Sequence, residues 1–206
     1  MSRGKFISLE GGEGVGKSTQ VRALAEALRE RGLEVVTTRE PGGSLGAEAI
    51  RALVLGGEED RWSARAEALL FAAARTDHVE KTIRPALERG AWVLCDRFLD
   101  SSLAYQGGAG GLGIEEVRRI NLFGVGETLP DRTLVLTLAE GAERARVRDE
   151  GESDRIGGRS DEYHRGVEAA FRAIQNAEPG RVMLVDASGD VEKVTRRLVT
   201  AIEDLL

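Results

Sequence analysis

The stretch Gly11-Gly12-Glu13-Gly14-Val15-Gly16-Lys17-Ser18 decides the fold of this chain. It fits the phosphate-binding pattern G-x-x-x-x-G-K-[ST] at every position. Glycines without a Cβ let successive backbone N–H groups turn inward around an oxygen-rich anion at a helix N-terminus. The pattern predicts that Lys17 reaches the β- and γ-phosphates of a nucleoside triphosphate and that Ser18 ligates magnesium.

The residues on either side of this loop supply the strand and the helix that a phosphate loop needs. Phe6-Ile7-Ser8-Leu9 is a short apolar run typical of a strand, and residues 21–28 carry apolar side chains at helical i, i+3, i+4 and i+7 spacing. A chance match is disfavoured by this context. The predicted triphosphate-binding residues are Gly11, Gly12, Glu13, Gly14, Val15, Gly16, Lys17, Ser18 and Thr19.

The composition is typical of one ordinary domain covering residues 1–206. A chain of this length buries about 70% of its unfolded surface without disulfides, and its single cysteine, Cys95, lies in an apolar run. No signal peptide is visible, and the longest wholly apolar run, residues 68–74, is too short to span a bilayer. We therefore expect a protein of the reducing cytoplasm with no membrane partner.

The charge argues against non-specific nucleic-acid binding, because the formal net charge is −6. Of the 29 cationic residues 25 are arginine. Most of these arginines are expected at the surface, but a minority should bind phosphate, since the guanidinium stays charged and grips phosphate oxygens bidentately.

Strand and helix patterns alternate along the chain, which predicts an α/β fold with a parallel sheet. The predicted strands are Phe6–Leu9, Leu33–Thr37, Ala91–Cys95, Thr133–Leu138 and Val182–Val185. The predicted helices are Lys17–Arg31, Ala47–Leu55, Ala64–Arg89, Glu115–Gly124, Asp161–Ala177 and Val191–Leu205, the last with Asp190 as its N-cap.

Two segments break this alternation. Gly107–Gly113 is rich in glycine and predicts a flexible loop, whereas Arg144–Arg159 is a mixed-charge stretch without an apolar face. Either segment could be plain surface. In a phosphate-loop enzyme, however, an arginine-rich mobile segment is the expected form of a lid that excludes water from the transferred phosphoryl group.

Three further candidate sites lie directly after a predicted strand or within a predicted helix. Asp96 and Arg97 come directly after the third strand, where an open α/β sheet binds ligands, so Asp96 could hold magnesium and Arg97 a phosphate; an ordinary ion pair is the alternative. The turn Thr38–Gly43 follows the second strand. Phe71 and Arg75 lie four apart on one helix face, and Phe71 fits a core position as well as a ligand contact.

With these pieces in order the chain resembles bacterial-type thymidylate kinases from Phe6 to the C-terminus. The phosphate loop is common to many families, but TREPGG and AYQGG together are specific. The matching segments are Phe6–Gln20, Thr38–Gly43 (TREPGG), Leu70–Arg75 (LFAAAR), Asp96–Arg97, Ser101–Gly108 (SSLAYQGG) and Asp154–Ile156 (DRI).

The resemblance implies a three-layer P-loop NTPase fold with helices on both faces of a five-stranded parallel sheet, in the order of about 2-3-1-4-5. It also implies a lid at about 141–160, a homodimer, and Mg²⁺-dependent transfer of the γ-phosphoryl group of ATP to dTMP, giving dTDP and ADP. Ser18 and Asp96 would be the metal ligands.

The resemblance assigns roles to individual side chains. Glu13 would meet the sugar 3′-hydroxyl of dTMP, Phe71 would stack on thymine and Arg75 would bond its edge. The remaining acceptor-site roles fall to residues that would hold the phosphate (Arg97 with Arg39 or Arg51), lie near the pyrimidine (Ser102 and Gln106) or exclude a 2′-hydroxyl (Tyr105).

The implied catalytic cations are Lys17, Arg97 and a lid arginine, because the phosphate loop itself contains no arginine. Arg155 is the first candidate in the lid. The run Ile156-Gly157-Gly158-Arg159 departs from the family pattern, in which Glu follows Asp-Arg-hydrophobic, so Arg148 or Arg159 could share the task. The loop 186–190 after the last strand is the expected wall of the adenine pocket.

No general base is needed, since the acceptor phosphate already presents anionic oxygens near neutral pH. Three alternatives remain at the level of sequence. A phosphate-loop kinase for another small nucleotide or nucleoside is the nearest. A regulatory NTPase is disfavoured by the lack of an Asn-Lys-x-Asp-like signature, and a non-catalytic ATP-binding module by the intact Lys17, Ser18, Asp96 and Arg97.

Overall fold

A parallel β-sheet forms the centre of the protein. The computed structural model describes residues 3–58, 60–138 and 155–206. In these ranges the sheet has five strands in the order β2-β3-β1-β4-β5, as predicted. The strands are β1 (Phe6–Gly11), β2 (Val35–Arg39), β3 (Trp92–Asp96), β4 (Arg132–Thr137) and β5 (Val182–Asp186).

Helices cover both faces of this sheet and lie close to the predicted segments. The α-helices of the described ranges are α1 (Lys17–Arg29), α2 (Leu45–Leu55), α3 (Ala64–His78), α4 (Arg84–Glu88), α5 (Leu99–Ser102), α6 (Ile114–Val125), α7 (Asp161–Ala177) and α8 (Val191–Thr200). Two π-helical segments, Val79–Ile83 and Leu103–Ala109, and a 3₁₀ turn, Glu203–Leu205, complete the list. None of these helices is both long and apolar enough to cross a membrane.

Adjacent strand residues enter two separate cores, as in parallel sheets whose two faces are both buried. In β1, Phe6 packs against Phe98 and α7 on one face, whereas Ile7 packs against α1 and α8 on the other. The phosphate loop lies at the carboxyl end of this doubly buried strand. Its position is therefore fixed from both sides.

Three predicted elements differ from the observed ones. The last helix, predicted over Val191–Leu205, ends at Thr200 and is followed by a separate 3₁₀ turn. The single helix expected over Ala64–Arg89 is interrupted by the π-helical turn Val79–Ile83, and Pro85, which cannot donate a backbone hydrogen bond, lies in the first turn of α4. The flexible loop expected at Gly107–Gly113 is wrong for its first residues, which belong to the second π-helix. Gly107 is buried there, and it lies so close to the start of α6 that a Cβ would be 3.0 Å from the Cα of Ile114.

The predicted lid falls largely outside the described residues. Arg144, Arg146 and Arg148 are not among them, whereas residues 155–158 form a turn that leads to α7. Asp190 caps α8 as predicted, since its carboxylate accepts a hydrogen bond from the backbone N–H of Lys193 at 2.8 Å.

Candidate active site

A cavity of about 340 Å³ opens at the carboxyl ends of β1, β2 and β3. This is the edge at which parallel α/β sheets bind their ligands. It brings together most of the predicted site residues: Glu13, Gly14, Gly16, Lys17, Ser18, Thr19, Arg39, Arg51, Phe71, Arg75, Asp96, Arg97, Ser102, Tyr105 and Gln106. Three other residues of the phosphate loop, Gly11, Gly12 and Val15, are buried and do not line the cavity. Arg155 also lies outside its lining.

The phosphate loop has the backbone geometry that the motif requires. Gly14 and Gly16 have φ angles of 69° and 90°, which favour glycine, and no side chain caps the N-terminus of α1. The first N–H groups of α1 are therefore available to phosphate oxygens. Lys17 is buried, its ammonium donates to the Gly12 carbonyl at 2.5 Å, and burial lowers its pKa.

Ser18 and Asp96 supply the oxygen ligands expected at a magnesium site. The Ser18 hydroxyl donates to the Asp96 carboxylate at 2.5 Å, which joins the start of α1 to the end of β3. Magnesium prefers hard oxygen ligands and is commonly held by one or two carboxylates together with substrate phosphates. The donor set therefore fits this metal.

Arg97 connects the phosphate loop with the second half of the cavity. Its guanidinium donates to the Glu13 carboxylate at 2.6 Å and lies over the Tyr105 ring at 5.0 Å. The positive charge of Arg97 lowers the pKa of Glu13 to about 2, while burial alone would raise it. Glu13 is therefore ionised at neutral pH, and these three predicted residues form one cluster.

Arg75 is held rigidly at the base of the cavity. It is 2% exposed and donates to Glu40 at 2.7 Å, to Ser102 and the Phe98 carbonyl at 3.0 Å each, and to Asn121. Among the described residues these four hydrogen bonds use four of the five guanidinium N–H donors. One donor remains for a ligand at this position.

Arg39 and Arg51 lie at the rim of the cavity. Arg39 donates to both Glu48 oxygens at 3.1 Å, and Arg51 donates to the Pro41 carbonyl at 2.6 Å. Glu48 also accepts the Gly43 N–H at 3.0 Å, which is the main reason why its pKa is lowered. The Thr38–Gly43 turn therefore holds both arginines on the same side of the cavity.

The lid candidate Arg155 is bound to α2 and α3. Its guanidinium donates to Glu67 at 2.5 Å and to the Val54 carbonyl at 2.9 Å, and both side chains of this ion pair are almost fully buried. Glu67 also accepts from Arg159 at 2.7 Å and from Gln106 at 3.0 Å. One carboxylate thus joins the predicted pyrimidine-edge residue to both lid-end arginines.

Several buried polar residues of this region were not predicted from the sequence: Glu10, Glu40, Glu67 and Asn121. Glu40 lies inside the TREPGG segment, but a carboxylate that supports an arginine has no local sequence pattern. Only the fold brings such partners together across 35 to 88 positions of sequence.

The expected adenine wall lies beside the helix that follows the phosphate loop. Residues 186–190 end at α8, where the Val191 carbonyl accepts from the Gln20 side chain of α1 at 3.3 Å. The loop lies outside the residues that line the cavity described above. Its role in binding adenine stays a prediction.

Fold and site together define a class. The site combines a phosphate loop with a buried lysine, a serine–aspartate pair suited to magnesium and an arginine-lined region of the same cavity. These are the features of a P-loop kinase that acts on a small phosphorylated acceptor.

Comparisons with known proteins identify the family. Residues 9–198 match the family model described as "Thymidylate kinase". The chain is 58% identical over 205 residues to the thymidylate kinase of Rhizorhabdus wittichii, covering 98% of this chain and 99% of that protein. It is 50% identical over 201 residues to the thymidylate kinase of Symbiobacterium thermophilum, covering 98% and 94%.

A solved structure agrees. The crystal structure of thymidylate kinase from Ehrlichia chaffeensis matches with a TM-score of 0.79 at 30% identity, covering 98% of this chain and 99% of that one. The chain belongs to the thymidylate kinase family.

Proposed function

We propose that this enzyme transfers the γ-phosphoryl group of ATP to dTMP, giving dTDP and ADP. The family supports ATP and dTMP as the two substrates. The observation that carries the proposal is the Glu13–Arg97 pair, because it joins the donor's phosphate loop to the acceptor pocket at 2.6 Å.

In the proposed mechanism the chain works by positioning and electrostatics. Lys17 and the N–H groups of the phosphate loop hold the donor phosphates, and Arg97 holds the acceptor phosphate with help from Arg39 and Arg51. Since that phosphate is already anionic, no side chain has to remove a proton. Mg²⁺, held by Ser18 and Asp96, would neutralise charge on the β- and γ-phosphates.

The acceptor's base and sugar are assigned to the other half of the cavity. Phe71 stacks on thymine and the remaining donor of Arg75 bonds its edge, with Ser102 and Gln106 near the pyrimidine. Tyr105 is 4% exposed and directs its hydroxyl toward Glu13 at 3.4 Å. This contact supports the proposal that Glu13 meets the 3′-hydroxyl and that Tyr105 excludes a 2′-hydroxyl.

We assign Arg155 as the first candidate to contact the transferred phosphoryl group, which requires it to leave Glu67 for a phosphate oxygen. Separating a buried ion pair costs about 3–5 kcal/mol when a partner is simply removed, but a phosphate would replace the lost carboxylate. Arg159 shares Glu67 at 2.7 Å and is the second candidate within the described residues.

The homodimer is proposed on the distribution of exposed apolar side chains. Five of the eight large hydrophobic residues that are exposed in the described ranges lie on the neighbouring helices α2, α3 and α6: Leu45, Leu53, Leu69, Leu122 and Phe123. Clustered apolar surface marks an interface, and one patch repeated on two copies makes a closed two-fold dimer.

The cytoplasm is the proposed location, since ATP is the donor.

Two alanine variants test the assignment of the catalytic cations. Steady-state formation of dTDP at saturating ATP and dTMP should fall at least about 100-fold in Lys17→Ala and in Arg155→Ala, because both remove charge that stabilises the transition state. Lys5→Ala, which removes a lysine that pairs with Asp131 at the end of β1 opposite the phosphate loop, is the matched control and should keep wild-type turnover. Near-normal turnover of Arg155→Ala would refute its assignment, and absence of dTDP formation by the wild type would refute the function.

A further inference from the structure

Glu10 is a fully buried carboxylate at the carboxyl end of β1, directly before the phosphate loop. Both of its oxygens bind the segment that follows β3. One accepts the backbone N–H of Phe98 at 2.7 Å and the other accepts the Ser101 hydroxyl at 2.5 Å. The carboxylate therefore fastens β1 to the turn that carries Arg97.

That turn is strained at Arg97. In the described ranges Arg97 is the one residue other than glycine with a positive φ, at 68°. A side chain in this region of backbone space is strained and persists only where its surroundings hold it. The Arg97 N–H is held by the Leu9 carbonyl at 2.9 Å, and the next N–H along the chain, that of Phe98, is held by Glu10.

A second connection reaches the Arg97 guanidinium itself. The Ser101 hydroxyl donates to Glu10 and also accepts from Nη1 of Arg97 at 3.2 Å. The same nitrogen donates to the Gly11 carbonyl at 3.0 Å, and Nη2 donates to Glu13. Glu10 thus holds the backbone next to Arg97 directly, and it holds the Arg97 guanidinium indirectly through the Ser101 hydroxyl.

A strand that needed only packing would be better served by an apolar side chain. Burial and the nearby Asp100 carboxylate both raise the pKa of Glu10. The hydrogen bonds from Ser101 and the Phe98 N–H and the charge of Arg97 lower it. Burying an ionisable group carries a free-energy cost that neither sheet pairing nor core packing requires. The cost is consistent with a functional task at this position.

We propose that Glu10 is a positioning residue for phosphoryl transfer, which holds the Arg97 turn and, through Ser101, aims the guanidinium at the acceptor phosphate. The inference rests on the role proposed above for Arg97.

The test is a double-mutant cycle on purified full-length enzyme, with kcat and KM measured for dTMP and for ATP. Glu10→Ala should lower kcat/KM for dTMP about 10- to 100-fold, as expected for a misplaced catalytic group, and should change the KM for ATP less than about threefold. In the Arg97→Ala background the same substitution should cost less than about threefold more, because residues that act through one another are not additive.

Ser8→Ala is the matched control. Ser8 lies two residues earlier in β1, is equally buried, and bonds Thr133 at 2.9 Å without contacting Arg97 or its turn. It should leave dTMP kinetics within about twofold of wild type. Glu10→Gln keeps an acceptor for the Phe98 N–H, and its amide can donate to the Ser101 hydroxyl, which then accepts from both Gln and Arg97. This variant should recover most of the activity lost in Glu10→Ala.

The possible outcomes distinguish a failure of the role proposed for Arg97 from a failure of the role proposed for Glu10. If Arg97→Ala retains wild-type kinetics, the role of Arg97 fails and this inference fails with it. If Arg97→Ala is impaired but the losses of Glu10→Ala multiply with it, or Ser8→Ala is equally impaired, Glu10 is only structural. Should Glu10→Ala not fold, Ser101→Ala breaks the same connection to Nη1, and unchanged dTMP kinetics in that variant would overturn the inference.

Discussion

Glu13 occupies a variable position of the phosphate-loop motif, yet it is the side chain through which the loop meets the acceptor pocket. Its carboxylate accepts from Arg97 at 2.6 Å while about a third of the side chain stays exposed. A carboxylate beside bound phosphates would be repelled by them, so its retention needs a compensating cation. Arg97 is that cation.

The ion pair predicts a pH dependence of stability. Arg97 lowers the folded-state pKa of Glu13 from 4.5 to about 2, so the stabilisation is fully present above the unfolded-state pKa and is lost as pH falls from there toward 2. Glu13→Gln should therefore lower the free energy of unfolding of the ligand-free protein at pH 7. The deficit should shrink as pH falls below 4.5, and denaturant titrations at pH 7, 5, 4 and 3 measure it.

A deficit that stayed constant down to pH 3 would contradict this assignment, because it would mean that Glu13 stabilises the fold through packing. Glu34→Gln is a suitable control, since Glu34 forms an exposed ion pair with Arg89 away from the cavity. Exposed pairs of this kind contribute little, so this variant should match the wild type throughout.

Residues with chemistry in a local motif were predictable, and residues that only support them were not. Lys17, Ser18, Asp96 and Arg97 each stand in or directly after a recognisable strand–loop pattern, and the structure brings all four to one cavity. Glu67, by contrast, looks from sequence like any surface carboxylate of an amphipathic helix. Its burial depends on partners 39 and 88 positions further along the chain.

Among the elements, α3 and α6 pack closely beside the pocket proposed for the acceptor. Gly124 of α6 lies against Thr76 of α3, and a Cβ at this glycine would overlap the Thr76 hydroxyl and lie 3.0 Å from its β-carbon. Rotating the hydroxyl would not remove the clash. The close contact holds Asn121, which lies one helical turn before Gly124, against Arg75, the residue next to Thr76.

Gly124→Ala should accordingly force the two helices apart. We expect a loss of about 1–3 kcal/mol in the free energy of unfolding, the usual cost of overpacking, and an increased KM for dTMP as Arg75 shifts. Gly180→Ala is the matched control, since nothing lies within 4 Å of a Cβ there, and it should be neutral. If Gly124→Ala left both stability and KM unchanged, the helix contact would not shape the pocket.

Elements were predictable where periodicity ran without interruption and were misplaced where the backbone changed its hydrogen bonding. The strands and α7 follow the predicted segments within one or two residues. The π-helical segments were not predicted, because a fifth-residue hydrogen bond leaves no periodic signal in a seven-residue stretch. Glycines at 107 and 108 indicated a loop, but here they permit close approach to Ile114 and Ala170.

At the scale of the whole molecule, the apolar surface of α2, α3 and α6 predicts a dimer that one charge can break. Phe123 is 94% exposed, and Phe123→Glu would place a carboxylate in the buried interface on both copies. Light scattering should give the mass of two chains for wild type and of one chain for the variant. Val191→Glu, on an exposed site of α8, should remain dimeric. A wild-type mass of one chain would contradict the proposed homodimer.

The cavity is proposed to select dTMP as the acceptor, and a comparison of several acceptors tests this selectivity. With ATP and Mg²⁺ held at saturation, kcat/KM is measured for dTMP, dUMP, dCMP, dAMP and dGMP by following formation of each diphosphate. We expect dTMP to exceed every other acceptor by at least about tenfold, because Phe71, Arg75 and Tyr105 are proposed to contact the thymine and the deoxyribose. A preference for dCMP or dAMP, or ATP hydrolysis indifferent to dTMP, would contradict it.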